Sequence, residues 1–234
     1  MLIGGLQKTT LIDFPGKIAS LIFTVGCNFR CPFCHNPELV EPELIKGLDL
    51  IKEKDFFDFL DKRKKLIDGV SITGGEPTLH DDLIDFIKKI KSKGLAVKLD
   101  TNGTRPEVLK RLIDKNLLDY AAMDIKAPLN KYEKVVGVKV DLEKIKKSID
   151  LIMKNLADYE FRTTIVPNLL AEEDIIDLAK EIKGAKRFYL QQFVNKGKML
   201  VEEYKEIRPY PSQELEEIRD KVRGNFKVCE IRGL

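Results

Sequence analysis

Three cysteines within eight residues are the most reactive feature of this 234-residue chain. They stand in the segment Gly26-Cys27-Asn28-Phe29-Arg30-Cys31-Pro32-Phe33-Cys34-His35-Asn36, a C-x3-C-x2-C spacing on one loop. Three thiolates from one loop can bind three irons of a [4Fe–4S] cubane and leave the fourth iron open. An open iron can chelate a small ligand through an amine and a carboxylate, which a cluster held by four cysteines cannot do. Gly26 and Pro32 would let the loop turn tightly enough for the sulfurs to converge. A zinc site of the three cysteines plus His35 uses the same residue types. Cys34 and His35 are adjacent, however, and neighbouring side chains diverge, which suits one tetrahedral ion poorly. Three unrelated buried thiols are a further reading. Cys229 lies far along the chain in an apolar stretch and reads as core, with a role as fourth ligand left open.

Four more polar islands interrupt apolar runs. Thr73-Gly74-Gly75-Glu76-Pro77 has two glycines that would let the backbone approach a ligand closely. Glu76 or an exposed carbonyl there could accept hydrogen bonds from an ammonium; a plain strand-to-helix turn fits as well. Asp100-Thr101-Asn102-Gly103 suits either a ligand or a helix-capping turn. In Asp124-Ile125-Lys126 two charges break an apolar strand and must pair with each other or with a ligand. Arg162 lies inside an apolar run, and strand alternation sends Arg162, Thr164 and Val166 to one face. Its guanidinium could fork onto a carboxylate or form a structural ion pair. His80, after the glycine turn, reads as a surface or capping residue.

These islands need a scaffold, and the sequence supplies a repeating one. Nearly continuous apolar runs over 19–25, 69–73, 96–99, 120–124, 161–166 and 187–192 predict strands of a parallel sheet covered on both faces. Between them lie helical stripes: Leu83, Ile84, Ile87 and Ile90; Val108, Leu109, Leu112 and Ile113 after Thr104 and Pro106 as an N-cap region. Leu142, Ile145, Ile149, Ile152 and Leu156 form another, and Ile175, Ile176, Ala179 and Ile182 the last. Six β/α units fit either an open doubly wound sheet or an incomplete barrel. Every island falls at the C-terminal end of a strand or, for Arg162, within one, and parallel sheets bind ligands at those ends. Residues 1–18 read as a small β-hairpin cap, 19–192 as the β/α core, and 193–234 as a helix–strand tail packed on the same single domain.

Bulk properties narrow the function classes. Lys and Arg total 41 against 38 acidic residues, a net charge of +3, too even to predict nucleic-acid or membrane binding. No apolar run reaches membrane-spanning length, and the first residues lack a signal-peptide pattern, so a cytoplasmic protein is expected. Clustered cysteines in a reducing compartment point to metal or redox chemistry rather than disulfides.

The C-x3-C-x-φ-C form, with Phe33 before the last cysteine, resembles the signature of the radical S-adenosylmethionine superfamily. Cys34-His35-Asn36 is similar to the glycyl-radical-enzyme activases within it. The stretch from Gly5 to Lys17 resembles the anaerobic ribonucleoside-triphosphate reductase activating proteins; the likeness spans roughly residues 4–195. The resemblance implies an α/β fold, an incomplete (β/α)6 TIM-like barrel with an N-terminal β-hairpin and a C-terminal helix–strand tail. It implies a [4Fe–4S] cluster on Cys27, Cys31 and Cys34, and S-adenosylmethionine held by Phe33, His35, Gly74, Gly75, Glu76, Asp100, Thr101, Asp124, Lys126 and Arg162. The methionine amino group would meet the Gly74–Glu76 turn, and Arg162 the carboxylate, with Lys126 facing the carboxylate or the adenosine. A monovalent cation near Asp100, Thr101 and Asp124 is a further implication.

The implied activity is that of an oxidoreductase. A flavodoxin- or ferredoxin-type reductant supplies one electron, S-adenosylmethionine is cleaved to methionine and a 5′-deoxyadenosyl radical, and a glycyl radical enzyme is the partner. One departure is that no His follows the sixth strand, where related formate-lyase activases contact the adenosine; Gln192 or Asn195 would stand in. A radical enzyme acting on a small molecule, such as a deazaguanine precursor, is the enzymatic alternative. An iron–sulfur electron carrier or zinc-binding structural protein is the alternative of another class, and it leaves the four islands unexplained.

Overall fold

The structure, a computed structural model, describes residues 1–234. The apolar runs form strands β1 (Ile3–Thr10), β2 (Ala19–Thr24), β3 (Gly69–Gly74), β4 (Ala96–Thr101), β5 (Tyr120–Asp124), β6 (Tyr159–Ile165), β7 (Arg187–Gln192) and β8 (Val228–Arg232). They lie in one sheet in sequence order; β1 is antiparallel to β2 and every later neighbour is parallel. An unbroken sequential order is that of a barrel wall, whereas a doubly wound sheet reverses order at a switch point. The sheet ends at β1 and β8, so the barrel is partial.

The helices are α1 (Pro42–Ile45), α2 (Glu53–Arg63), α3 (Leu83–Lys91), α4 (Pro106–Asp114), α5 (Tyr132–Val136), α6 (Leu142–Asn155), α7 (Glu172–Glu181) and α8 (Ser212–Val222). Their buried stripes follow the helical period: Leu83, Ile84, Phe86, Ile87 and Ile90 in α3, and Ile145, Ser148, Ile149 and Ile152 in α6. Pro106 opens α4, where its missing N–H costs nothing. Thr104 is not the cap of that helix; its hydroxyl donates to Asn102 Oδ1 at 2.7 Å and accepts from Asn28 Nδ2 at 2.9 Å. Helix α2 was not evident in the sequence because only Phe56 and Leu60 of its eleven residues are buried.

Parallel pairing fixes which side chains point inward. The register Gly69↔Ala96, Lys98↔Tyr120, Ala122↔Glu160, Arg162↔Tyr189 and Gln191↔Arg232 puts Lys98, Asp100, Asp124, Glu160, Arg162, Thr164 and Gln191 on one face. That inner face mixes the charged groups with Leu21, Phe23, Tyr120 and Tyr189, while the outer face carries Ile22, Ile72, Val97, Leu99, Met123, Phe161 and Leu190 against the helices, all fully buried. The N-terminal hairpin uses β2 as its second strand: β1 pairs with β2 across the turn at Phe14-Pro15-Gly16, and no strand pairs within residues 1–18 themselves. Phe14 then packs with Ala19, Tyr120 and Ala122 as an apolar floor inside the sheet. In the tail, α8 leads into β8, which joins the same sheet alongside β7.

Candidate functional site

The three cysteines sit on the loop that leaves β2 and line a cleft of about 340 Å³ with the C-terminal ends of β3 to β7. Gly26 N donates to Leu39 O at 2.7 Å and Arg30 N to Val136 O at 2.8 Å, which anchors both flanks of the first half of the loop. The second half is held from the tail: Leu200 N donates to Cys34 O at 3.1 Å and Val201 N to Pro32 O at 3.0 Å. Phe33 is buried at the cleft wall, and exposed His35 lies beside Phe193, their ring centroids 6.4 Å apart.

All four cysteines are free. Burial pushes the Cys27 thiol up to about 11 and the Cys31 thiol to about 12, and it raises Cys34 too. Lys126 works in the opposite sense on all three. Thiols placed like this ionise readily only when a strong positive charge arrives, which is what a metal cluster brings. Cys229 pairs in register with outward-facing Phe188, where Arg219 and Asp220 of α8 are its charged neighbours. No further thiol lines the cleft, so the donor set matches a cubane with one open iron.

The glycine turn is placed differently from its sequence reading. A Cβ on Gly75 would lie 2.0 Å from Gly26 O, and one on Gly74, at φ +118°, 2.3 Å from Thr24 N. The two glycines therefore let the turn pack against the protein's own backbone at the end of β2, where Gly75 N donates to Thr24 O and Glu76 N to Gly26 O. Glu76 is buried at 1% exposure, and its carboxylate is occupied. It accepts from Thr78 N at 3.0 Å, the Thr78 hydroxyl, Thr101 Oγ1 at 2.8 Å and Asn102 N at 2.6 Å. Burial raises its pKa while these four donors oppose the rise. Glu76 thus ties the third and fourth strand ends together, and an ammonium ligand is left to the carbonyls of the turn rather than to this carboxylate.

The charged islands form one row across three strands. Lys98 Nζ contacts Asp100; Arg162 Nη1 donates to Asp100 Oδ2 at 3.2 Å and Arg162 Nε to Asp124 Oδ1 at 2.8 Å; Lys126 Nζ donates to Asp124 Oδ2 at 2.9 Å. Burial opposes ionisation of both aspartates, but Arg162 with Lys98 or Lys126 outweighs it and holds each below the usual carboxylate range. Asp100, Thr101 and Asp124, the residues expected to hold a monovalent cation, all line the cleft. The Arg162 guanidinium already bridges the two carboxylates, and the Thr101 hydroxyl is spent on Glu76.

One other position moves. Gln191, not Gln192 or Asn195, lines the cleft, because it shares the inner face with Arg162 and Thr164. Gln192 faces the tail and donates to Tyr210 O at 2.6 Å. His80, half-buried, closes the short turn Pro77–Leu79 as its C-cap, one of the two roles read from the sequence. Lys98 and the 199–201 strap escaped the sequence reading. Lys98 left a usable signal, since it stands two residues before Asp100 on a strand and so shares its face.

Comparison with known proteins matches this arrangement to a family. The Radical SAM superfamily model matches residues 21–182, which contain the cysteine loop and the strand ends through β6. A protein of Methanocaldococcus jannaschii named for glycyl-radical enzyme activation is 39% identical over 99% of this chain and 97% of its own length. The pyruvate formate-lyase-activating enzyme of Clostridium pasteurianum is 32% identical over 78% of this chain and 76% of its own. Among solved structures, Streptococcus suis SuiB bound to its precursor peptide SuiA superposes over 91% of this chain and 48% of its own, with a TM-score of 0.69 at 17% identity. Its likeness is in the fold. A cysteine loop at the mouth of a partial barrel, the family match across it and the near full-length relative agree: the chain belongs to the radical SAM superfamily, as an oxidoreductase of its glycyl-radical-enzyme activating group.

Proposed function

We propose that residues 1–234 work as one domain that installs a glycyl radical on a partner enzyme, of the anaerobic ribonucleotide reductase or formate-lyase type. The observation that carries this is the shared cleft. Cys27, Cys31 and Cys34 form one wall, and Asp100, Asp124, Lys126, Arg162 and Gln191, from four successive strand ends, form the other. When bound, a [4Fe–4S] cluster and S-adenosylmethionine would supply the one-electron reductive cleavage and radical chemistry needed to remove a hydrogen atom from glycine.

The protein's own residues bind and orient. Cys27, Cys31 and Cys34 would hold the cluster, with Phe33 and His35 beside it. The carbonyls of the Gly74–Glu76 turn would take the amino group, kept in place by the Glu76 tie to Thr101 and Asn102. Arg162 and Lys126 supply positive charge for a carboxylate. Gln191 takes the place that the sequence offered to Gln192 or Asn195 as hydrogen-bonding partner for adenosine. The gap between β1 and β8 gives a peptide segment a side entrance to the sheet's inner face. A flavodoxin- or ferredoxin-type reductant in the cytoplasm completes the proposal. No helix is long and apolar enough to cross a membrane.

Electron paramagnetic resonance tests this directly. The reduced, cluster-loaded protein mixed anaerobically with S-adenosylmethionine and a glycyl radical enzyme from the same cell should give a glycyl doublet on the partner. No doublet with any such partner, despite S-adenosylmethionine cleavage, would favour a small-molecule substrate instead.

A further inference from the structure

Lys98 lies in the middle of β4 with only 2% of its side chain exposed. A buried ammonium is costly unless it is paired, and its partner is Asp100, two residues on and on the same inward face. Lys98 does not line the cysteine cleft. It lines a separate cavity of about 430 Å³ on the other side of Arg162, together with Glu160 and Arg232. Its hydrogen-bonded link to the cleft runs through Asp100, whose other oxygen takes the guanidinium of Arg162, a residue that lines both cavities, at 3.2 Å.

The charge balance of the row says what that influence is for. Lys98, Arg162 and Lys126 are three cations; Asp100 and Asp124 are two anions. Glu160, 3.8 Å from Arg162, does not even the count, because Arg232 already grips it at 2.7 and 2.9 Å. One surplus positive charge in a buried row suits the entry of one carboxylate. Two of the three Arg162 nitrogens are engaged by Asp100 and Asp124, which leaves Nη2 without a protein partner.

We propose that Lys98 is a positioning residue for the anion-binding end of the cleft, holding Asp100 and through it the Arg162 guanidinium where a ligand carboxylate can reach it. The ligand group would be the methionyl carboxylate of S-adenosylmethionine, so the inference rests on the function proposed above. Lys98 fixes the lower end of the fork; without it Asp100 has Arg162 as its sole cation and competes with Asp124 for it.

Equilibrium dialysis on the anaerobically reconstituted protein tests this with two ligands. S-adenosylmethionine has the carboxylate, whereas 5′-methylthioadenosine keeps the adenosyl thioether and lacks the amino-acid end. Lys98→Met should weaken S-adenosylmethionine by about tenfold or more, the scale of one charge-assisted hydrogen bond, and leave 5′-methylthioadenosine and iron content unchanged. Lys98→Arg should keep the affinity, and Lys98→Met should add no further loss in an Arg162→Gln background. Should Lys98→Met fail to fold, the double variant Lys98→Met/Asp100→Asn removes both charges of the pair and should show the same selective loss. Unchanged S-adenosylmethionine affinity, or equal loss of both ligands, would overturn the role. A wild-type protein that binds no S-adenosylmethionine would instead overturn the function on which it rests.

Discussion

At the residue scale the site depends on groups that burial alone would keep inert. Cys27 and Cys31 are raised to about 11 and about 12 from an ordinary value of 9.0, first by loss of solvent. In the metal-free protein the folded state therefore holds these protons more tightly than the unfolded chain. The resulting stability is present below pH 9 and is lost as pH rises towards 11. Alkylation of the metal-free protein with iodoacetamide should follow the same window. At pH 8 Cys27 should react about a hundredfold more slowly than a free cysteine, the ratio for two pKa units, and the rate should climb until near pH 11. A plateau near pH 9 would show thiols that are not desolvated. Cluster binding must displace these protons, and Lys126 is the one protein cation that favours the thiolate at all three cysteines.

At the scale of elements, the cysteine loop is held from two directions, by its own strand and by the tail. The strap at Leu200 and Val201 reaches the loop through main-chain donors, which no residue type announces. Leu200→Pro removes the donor to Cys34 O and should loosen the loop. Iron loss to a chelator should quicken about fivefold, the factor for roughly 1 kcal/mol, with circular dichroism unchanged. Leu200→Ala keeps the N–H and should behave as wild type; equal iron loss in all three proteins would detach the tail from this role.

The strands themselves were legible, since Tyr120–Asp124 and Arg187–Gln192 begin and end where the apolar runs do. Strand β4 extends past Leu99 to Thr101 because Asp100 and Thr101 satisfy their charge and hydroxyl within the fold. The choice of Gln191 over Gln192 was beyond the sequence, because it depends on the register Thr164↔Gln191 between two strands. Likewise Gly74 and Gly75 mark a close approach in either case, but only packing reveals that the approaching chain is β2. The row from Lys98 to Lys126 was mostly visible: its aspartates, Lys126 and Arg162 stood out, while Lys98 sat inside a run read as nearly continuous apolar.

At the scale of the molecule, a sheet with an apolar outside and a charged inside concentrates reactive groups where seven parallel strands end. The floor of Phe14, Tyr120 and neighbouring alanines closes one end, and the unpaired edges of β1 and β8 leave a side open. In the cleft the cysteine loop, with Phe29, Phe33 and Val40, forms a largely apolar wall opposite the charged strand ends, an arrangement suited to holding a charged cofactor. The most direct test is product analysis after anaerobic reconstitution with iron and sulfide, reduction by dithionite and addition of S-adenosylmethionine. The wild-type protein should release 5′-deoxyadenosine and methionine in equal amounts, and Cys31→Ala should release neither. A fully loaded, reduced wild-type cluster that yields no 5′-deoxyadenosine would contradict the account.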